Sequence, residues 1–187
     1  MVAVSTNDLK NNMTIKVDDE LFSVVFFQHV KPGKGGAFVR TKLKSLKTGA
    51  VLEKTFRADE KLEQVILEKT EAQLLYKEGD NYVFMKLSDY EQVIISSTLL
   101  GDQTQYLKEG SEVHLLLDGA NVVGVELPTA VELEVIHTEA GVQGDRVSGA
   151  RKAATLQTGL VIQVPLFVNT GDIVKVDTRT GEYLSRA

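Results

Sequence analysis

Residues 21–46 read LFSVVFFQHVKPGKGGAFVRTKLKSL. Two strand-like runs, residues 21–30 and 37–46, flank a glycine-rich break, and several of the chain's strand-like runs alternate apolar and polar side chains with the period of two that a half-buried strand requires. The segment therefore reads as a β-hairpin. The same reading extends outward along the chain: NYVFMKL (81–87), QVIIS (92–96), EVHLLLDG (112–119), NVVGVEL (121–127), AVELEVIHT (130–138), GLVIQVPLFV (159–168) and DIVKVDT (172–178) are all strand-like. Turn residues separate them, among them Thr48-Gly49, Gly79-Asp80-Asn81, Asp118-Gly119, Thr170-Gly171-Asp172 and Thr180-Gly181. Many short strands between such turns predict an all-β protein of sandwiches or barrels. Residues 101–109 (GDQTQYLKE) are the one helical candidate, a turn or two between strands.

Two places suggest boundaries. Around residues 59–65 a basic segment gives way to an acidic one, and at Leu127-Pro128 a strand ends on a proline, which has no N–H for a sheet ladder. Cutting there gives units 1–63, 64–127 and 128–187, each near the lower size limit for independent folding and suited to a small barrel. A single large sandwich is the alternative. The net charge of −5 divides among these units as +3, −7 and −1, and nine of the eleven bases of the first unit fall within residues 31–61, against three acids. Screening confines electrostatics to about 8 Å at physiological salt. A locally basic surface is therefore compatible with a polyanionic partner despite the overall sign.

Several function classes drop out. With no Cys there is no disulfide framework, thiolate metal site or thiol nucleophile. His29, His114 and His137 lie far apart, without metal-ligand spacing, so no metal is expected. No Gly-x-Ser-x-Gly elbow is present, and carboxylates such as Asp18-Asp19-Glu20 sit in turn-like stretches. No set of residues forms a catalytic constellation, so the chain is expected not to be an enzyme. The first twenty residues lack a basic segment followed by an apolar one, and no apolar run reaches the ~18 residues of a membrane span. A cytoplasmic protein with no membrane partner is expected.

The hairpin break, Lys31-Pro32-Gly33-Lys34-Gly35-Gly36, stands out. Pro32 biases Lys31 toward extended backbone, and the glycines permit positive φ and close approach of another backbone. Lys34, with glycine on both sides, projects an ammonium from the tip. The spacing is not that of a phosphate-binding P-loop, and a hairpin with a solubilising lysine is the plain alternative.

The string HVKPGKGGAFVRTKLK resembles the first-domain tip of the bacterial elongation factor P family. Residues 74–92, LLYKEGDNYVFMKLSDYEQ, resemble the start of that family's second domain. The C-terminal stretch from Lys152 to Tyr183 carries its signature: Lys152, Ala154, Gly159, Val164-Pro165, Phe167, Gly171, Asp177-Thr178, Thr180-Gly181 and Tyr183. The resemblance covers essentially the whole chain. It implies three small β-barrels in a row, the first SH3-like or KOW-like and the next two oligonucleotide-binding (OB) folds, in an L-shaped outline like that of transfer RNA.

By the same resemblance the protein is a translation elongation factor that binds the 70S ribosome between the peptidyl-tRNA and exit sites. There it relieves stalling at consecutive prolines by positioning the CCA end of peptidyl-tRNA. Lys34 matches the tip residue that reaches the peptidyl-transferase centre and that a lysine-modifying enzyme acts on in many members. Lys31, Pro32, Gly33, Gly35 and Gly36 support it, and Arg40, Lys42 and Lys44 would meet tRNA or rRNA backbone. Gly144, Asp145 and Arg146 begin a loop resembling the one directed at the exit-site codon. This sequence departs from the commoner pattern there: Arg146 and Arg151 add charge, and Ala153 replaces a proline. For Asp145 a plain Asx-turn role is the alternative. Tyr183 and Arg186 match a pair that lies near the small subunit and the tRNA anticodon stem, with a packed core tyrosine as the competing reading. No cofactor is expected beyond covalent modification of Lys34. Partners would include peptidyl-tRNA, rRNA and ribosomal proteins near the exit site, with the factor itself a monomer.

A different class of function, a general single-strand RNA-binding protein built of tandem barrels, would need aromatic stacking platforms and a continuous basic groove. Seven Phe, five Tyr and the acidic middle third weigh against it.

Overall fold

The computed structural model describes residues 2–141 and 149–187. Its regular structure is almost entirely strand, in three antiparallel sheets that curl into half-barrels. The first holds β1 (Val2–Ser5), β2 (Thr14–Val17), β3 (Glu20–Val30), β4 (Phe38–Ser45), β5 (Val51–Arg57) and β6 (Lys61–Gln64), in the order β1-β6-β2-β3-β4-β5. The second holds β7 (Glu68–Glu78), β8 (Asn81–Lys86), β9 (Gln92–Ser96), β10 (Glu112–Asp118) and β11 (Asn121–Glu126), in the order β11-β10-β7-β8-β9. The third holds β12 (Ala130–Thr138), β13 (Arg151–Leu156), β14 (Val161–Pro165), β15 (Ile173–Asp177) and β16 (Tyr183–Arg186), in the order β14-β13-β12-β15-β16. By its contacts the chain forms two compact units, residues 1–70 with 115–125 and residues 71–114 with 126–187.

The all-β expectation holds, and alternation explains much of it. Along β4, Val39, Thr41, Leu43 and Ser45 are buried while Arg40, Lys42 and Lys44 are exposed. Val39 and Leu43 join Leu9, Ile15, Phe22, Val24, Phe56 and Leu62 in one core. Burying an aliphatic or aromatic side chain of this size contributes about 1.5–3 kcal/mol. The buried Thr41 hydroxyl donates to the Lys54 carbonyl at 2.6 Å, which removes the penalty of an unpaired polar group. In the third sheet Leu133, Val135, Ala154, Leu156, Ile162, Val164, Val168, Val174 and Val176 form a second core.

The helical candidate is shifted toward the N-terminus. A single α-turn, α1 (Ser97–Leu100), is followed by a 3-10 turn at Gly101–Tyr106. Ser96 starts it, its hydroxyl accepting from the Leu99 N–H at 3.4 Å. Ser96 is also the last residue of β9, so the strand QVIIS runs straight into the cap. Among the described residues no helix is long and apolar enough to cross a membrane.

Candidate functional site

Strands β3 and β4 pair from Phe22↔Ser45 to Val30↔Phe38, and the ladder stops where the glycines begin. Residues 31–36 are all exposed. Gly35 takes φ +109°, a conformation that L side chains rarely adopt, and a Cβ there would lie 3.9 Å from the Pro32 ring. Beside Gly33 and Gly36 there is open space. The Ala58 N–H donates to the Ala37 carbonyl at 3.1 Å and ties the base of the tip to the end of β5. Among the described residues neither Lys31 nor Lys34 has an ion-pair partner, so the Lys34 ammonium stands on a flexible stem with water around it. Such a group can meet an anion or be modified at Nζ without disturbing any contact of the fold.

Arg40, Lys42 and Lys44 point away from the core on β4, on one face, as alternation predicts. Lys42 Nζ lies 3.8 Å from Glu53 Oε1 in an exposed pair that holds little energy. Register adds a cation that sequence reasoning passed over: Arg57 on β5 sits directly opposite Phe38 and shares this outward face. The sequence reading has no strand over residues 51–57, so nothing in it places Arg57 beside Phe38.

The C-terminal pair is arranged differently. Tyr183 is half-buried and packs against the core of the third sheet. Arg186 Nη1 lies 3.7 Å from Asp172 Oδ2, and its guanidinium stands 5.5 Å from the centre of the exposed Phe167 ring. Gly144, Asp145 and Arg146 lie outside the described residues.

Residues 177–181, part of the C-terminal signature, build a tight turn. The Asp177 carboxylate accepts from the Arg179 N–H at 2.8 Å and the Thr180 N–H at 3.3 Å, and Arg179 Nη2 approaches at 3.3 Å. These hydrogen bonds, the Arg179 backbone N–H first, hold its carboxyl below the usual aspartate range. Gly181, at φ +74°, faces the Tyr106 hydroxyl, which would meet an added Cβ at 3.1 Å. Burial pushes the Tyr106 phenol up, with the Asp177 and Asp102 charges adding to the shift. The Thr158 hydroxyl donates to the Gln105 carbonyl at 2.5 Å, and the Thr178 hydroxyl to the Pro128 carbonyl at 2.6 Å. The signature thus serves the packing of residues 101–107 on the third sheet, both in the same compact unit.

Among the described residues no three His, Asp or Glu side chains are grouped to hold a metal ion. A cleft of about 430 Å³ lies among Glu71, Tyr106, His114, Pro128 and Val131, and none of the candidate modification or RNA-contact residues lines it.

Comparison with known proteins agrees along the whole length. The elongation factor P KOW-like domain matches residues 5–62, the elongation factor P OB domain residues 67–125, and the elongation factor P C-terminal domain residues 131–186. Elongation factor P of Moorella thermoacetica is 52% identical over 184 residues, covering 98% of this chain and 100% of the relative. That of Acidothermus cellulolyticus is 55% identical over 183 residues, covering 98% of each. Among solved structures, eukaryotic translation initiation factor 5A from Methanococcus jannaschii aligns with a TM-score of 0.53 at 24% identity, over 68% of this chain and 92% of its own, a likeness of fold. With half the residues identical across nearly the full length, the chain belongs to the elongation factor P family.

Proposed function

We propose that this protein is a translation elongation factor that associates with the ribosome and, bound between the peptidyl-tRNA and exit sites, speeds peptide-bond formation at consecutive prolines. Relatives of about half identity named elongation factor P support the elongation role. The finer reading rests on one observation: Lys34 is an exposed cation at the end of a hairpin, free of any ion pair among the described residues.

Proline is a constrained, slow nucleophile, so misalignment of the reacting ends slows the step strongly. A factor that only orders the CCA end of peptidyl-tRNA raises the rate by removing that entropic penalty, without chemistry of its own. A compact ammonium on a flexible stem suits a phosphate backbone, and Arg40, Lys42 and Lys44 add attraction that salt weakens. The open space beside Gly33 and Gly36 leaves Lys34 accessible to a modifying enzyme, which would lengthen its reach. In this reading the ribosome performs the catalysis, and the factor needs no cofactor beyond that modification.

The test is a Pro-Pro-Pro reporter translated with wild type and with Lys34→Ala. Rescue by wild type alone is expected, and equal synthesis with both overturns the reading. Intact mass of natively purified protein, with peptide mapping over residues 31–40, reports whether Lys34 carries an added group.

A further inference from the structure

Strand β3 does not keep one phase along its length. Val24 is fully buried, and in an unbroken strand Phe26, two residues on, would share its face. The register instead shifts between them: Val24 pairs with Leu43, and Phe26 with Lys42, the very next residue. Val25 is the extra residue of a β-bulge. Beyond it the phase is reversed, so that Phe27 packs against the core while Phe26 is left 43% exposed. A bulge of this kind re-aims a side chain, and such bulges are frequent at functional sites.

Directly opposed residues share a face, so the outward surface of β3, β4 and β5 is set by register. Its rungs are Val30–Phe38–Arg57, Gln28–Arg40–Thr55, Phe26–Lys42–Glu53 and Ser23–Lys44–Val51. Four cations stand there against one carboxylate, and the rung holding Val30 and Phe38 leads directly into the Lys34 tip. Successive rungs are about 7 Å apart, within one screening length, so the cations act on one ligand together. An aromatic face set among cations, with few apolar neighbours, suits a nucleobase flanked by phosphates better than an apolar protein surface.

We propose that this face is a platform for unpaired RNA, with a base stacked on Phe26 and the adjoining phosphates held by Arg40, Lys42, Lys44 and Arg57. The proposal rests on the reading that the first sheet meets RNA, and it adds the stacking residue and the course of the track toward Lys34.

The chain contains no Trp, so Phe26→Trp creates a single tryptophan, excitable apart from the tyrosines, that keeps a stacking face. Titrating full-length protein at low salt with a short unstructured oligoribonucleotide should quench it to saturation. By anisotropy of the same oligonucleotide, labelled, Phe26→Ala and Phe26→Leu should each bind about 5- to 150-fold more weakly than wild type, with Phe26→Trp close to wild type. The salt slope should stay unchanged in the Phe26 variants and fall by about 0.7 for each of the four cations changed to Ala. Phe26 is exposed, and an unchanged melting temperature confirms that each variant is folded. Overturning results are an unquenched Trp, Leu binding like Phe, or poly-glutamate quenching as strongly as RNA, the last indicating an acidic protein partner. If wild type binds with the expected salt slope while the Phe26 series is flat, stacking alone fails. If wild type neither binds RNA nor rescues the proline reporter, the functional reading fails with it.

Discussion

The hairpin tip and the C-terminal strand each carry a cation, and the fold treats the two differently. At the tip, Lys34 has no carboxylate in reach among the described residues, and its glycine neighbours leave space around it. On β16, Arg186 is held by Asp172 and the Phe167 ring, and Tyr183 is packed into the sheet. Both were singled out on residue type and family pattern alone. A cation engaged by its own fold must give up contacts before it meets a partner, whereas a free one loses only water and chain entropy. The tip can therefore meet an external ligand without giving up an ion pair among the described residues, whereas the C-terminal pair is already engaged by its own sheet.

The largest expected difference lies in how the two regions fail. Lys34→Ala should lower proline-reporter rescue about tenfold or more, as loss of a positioning group does, while its stability stays within about 0.5 kcal/mol of wild type, as for other surface changes. A drop in melting temperature that tracks the lost rescue would remove the contrast. Tyr183→Ala should do the reverse in kind. It should destabilise by about 2 kcal/mol, below the ~3–5 kcal/mol of a fully buried aromatic because the ring is only half-buried. Tyr183→Phe should stay close to wild type in urea denaturation; a loss as large as that of Ala would place the energy in the hydroxyl rather than in the packing.

What could be read from the chain follows the same division. Strand β4 was legible because Arg40, Lys42 and Lys44 recur at every second position, and Lys34 because glycine on both sides leaves nothing to pack against it. The outward turn of Phe26 was not legible: Val-Val-Phe-Phe is apolar at every position, so its pattern has no phase, and the bulge is set by pairing with β4. Nor could local sequence show that Arg57 lies opposite Phe38, or that Tyr183 packs down while Arg186 stays out, since both depend on a neighbouring strand. Alternation reports a residue's own strand, and a site assembled across strands needs the register.

Smaller effects refine the C-terminal side. Gly181→Ala should destabilise by about 1–2 kcal/mol through its positive φ, with an added penalty because the Tyr106 hydroxyl must move. Gly171→Ala has a similar φ and nothing within 4 Å, so it measures the conformational part alone. Equal melting temperatures for the two would mean that Tyr106 yields freely. Arg186→Ala should cost about 0.5–1 kcal/mol, as expected for an exposed cation–π contact beside a half-exposed ion pair. High salt should remove part of that difference and leave the ring contact. A loss near zero at low salt would make Arg186 as free as Lys34.

The smallest effect depends on pH. Hydrogen bonds from Arg179 and Thr180 favour the charged form of Asp177 and lower its folded pKa below that of the unfolded chain. A carboxylate shifted in this sense contributes stability that is fully present above its unfolded value, near 3.9, and lost as the pH falls through the lower folded one. Asp177→Asn keeps an acceptor oxygen but has no such titration. Wild type should therefore exceed the variant by a constant margin at neutral pH, and the margin should narrow in acid as the pH falls past the unfolded value and through the lower folded one. Urea midpoints of both proteins across that range test it. Parallel curves would show that the turn depends on the geometry of its acceptor rather than on its charge. In that case the signature turn, unlike the tip, would owe nothing to an ionised group.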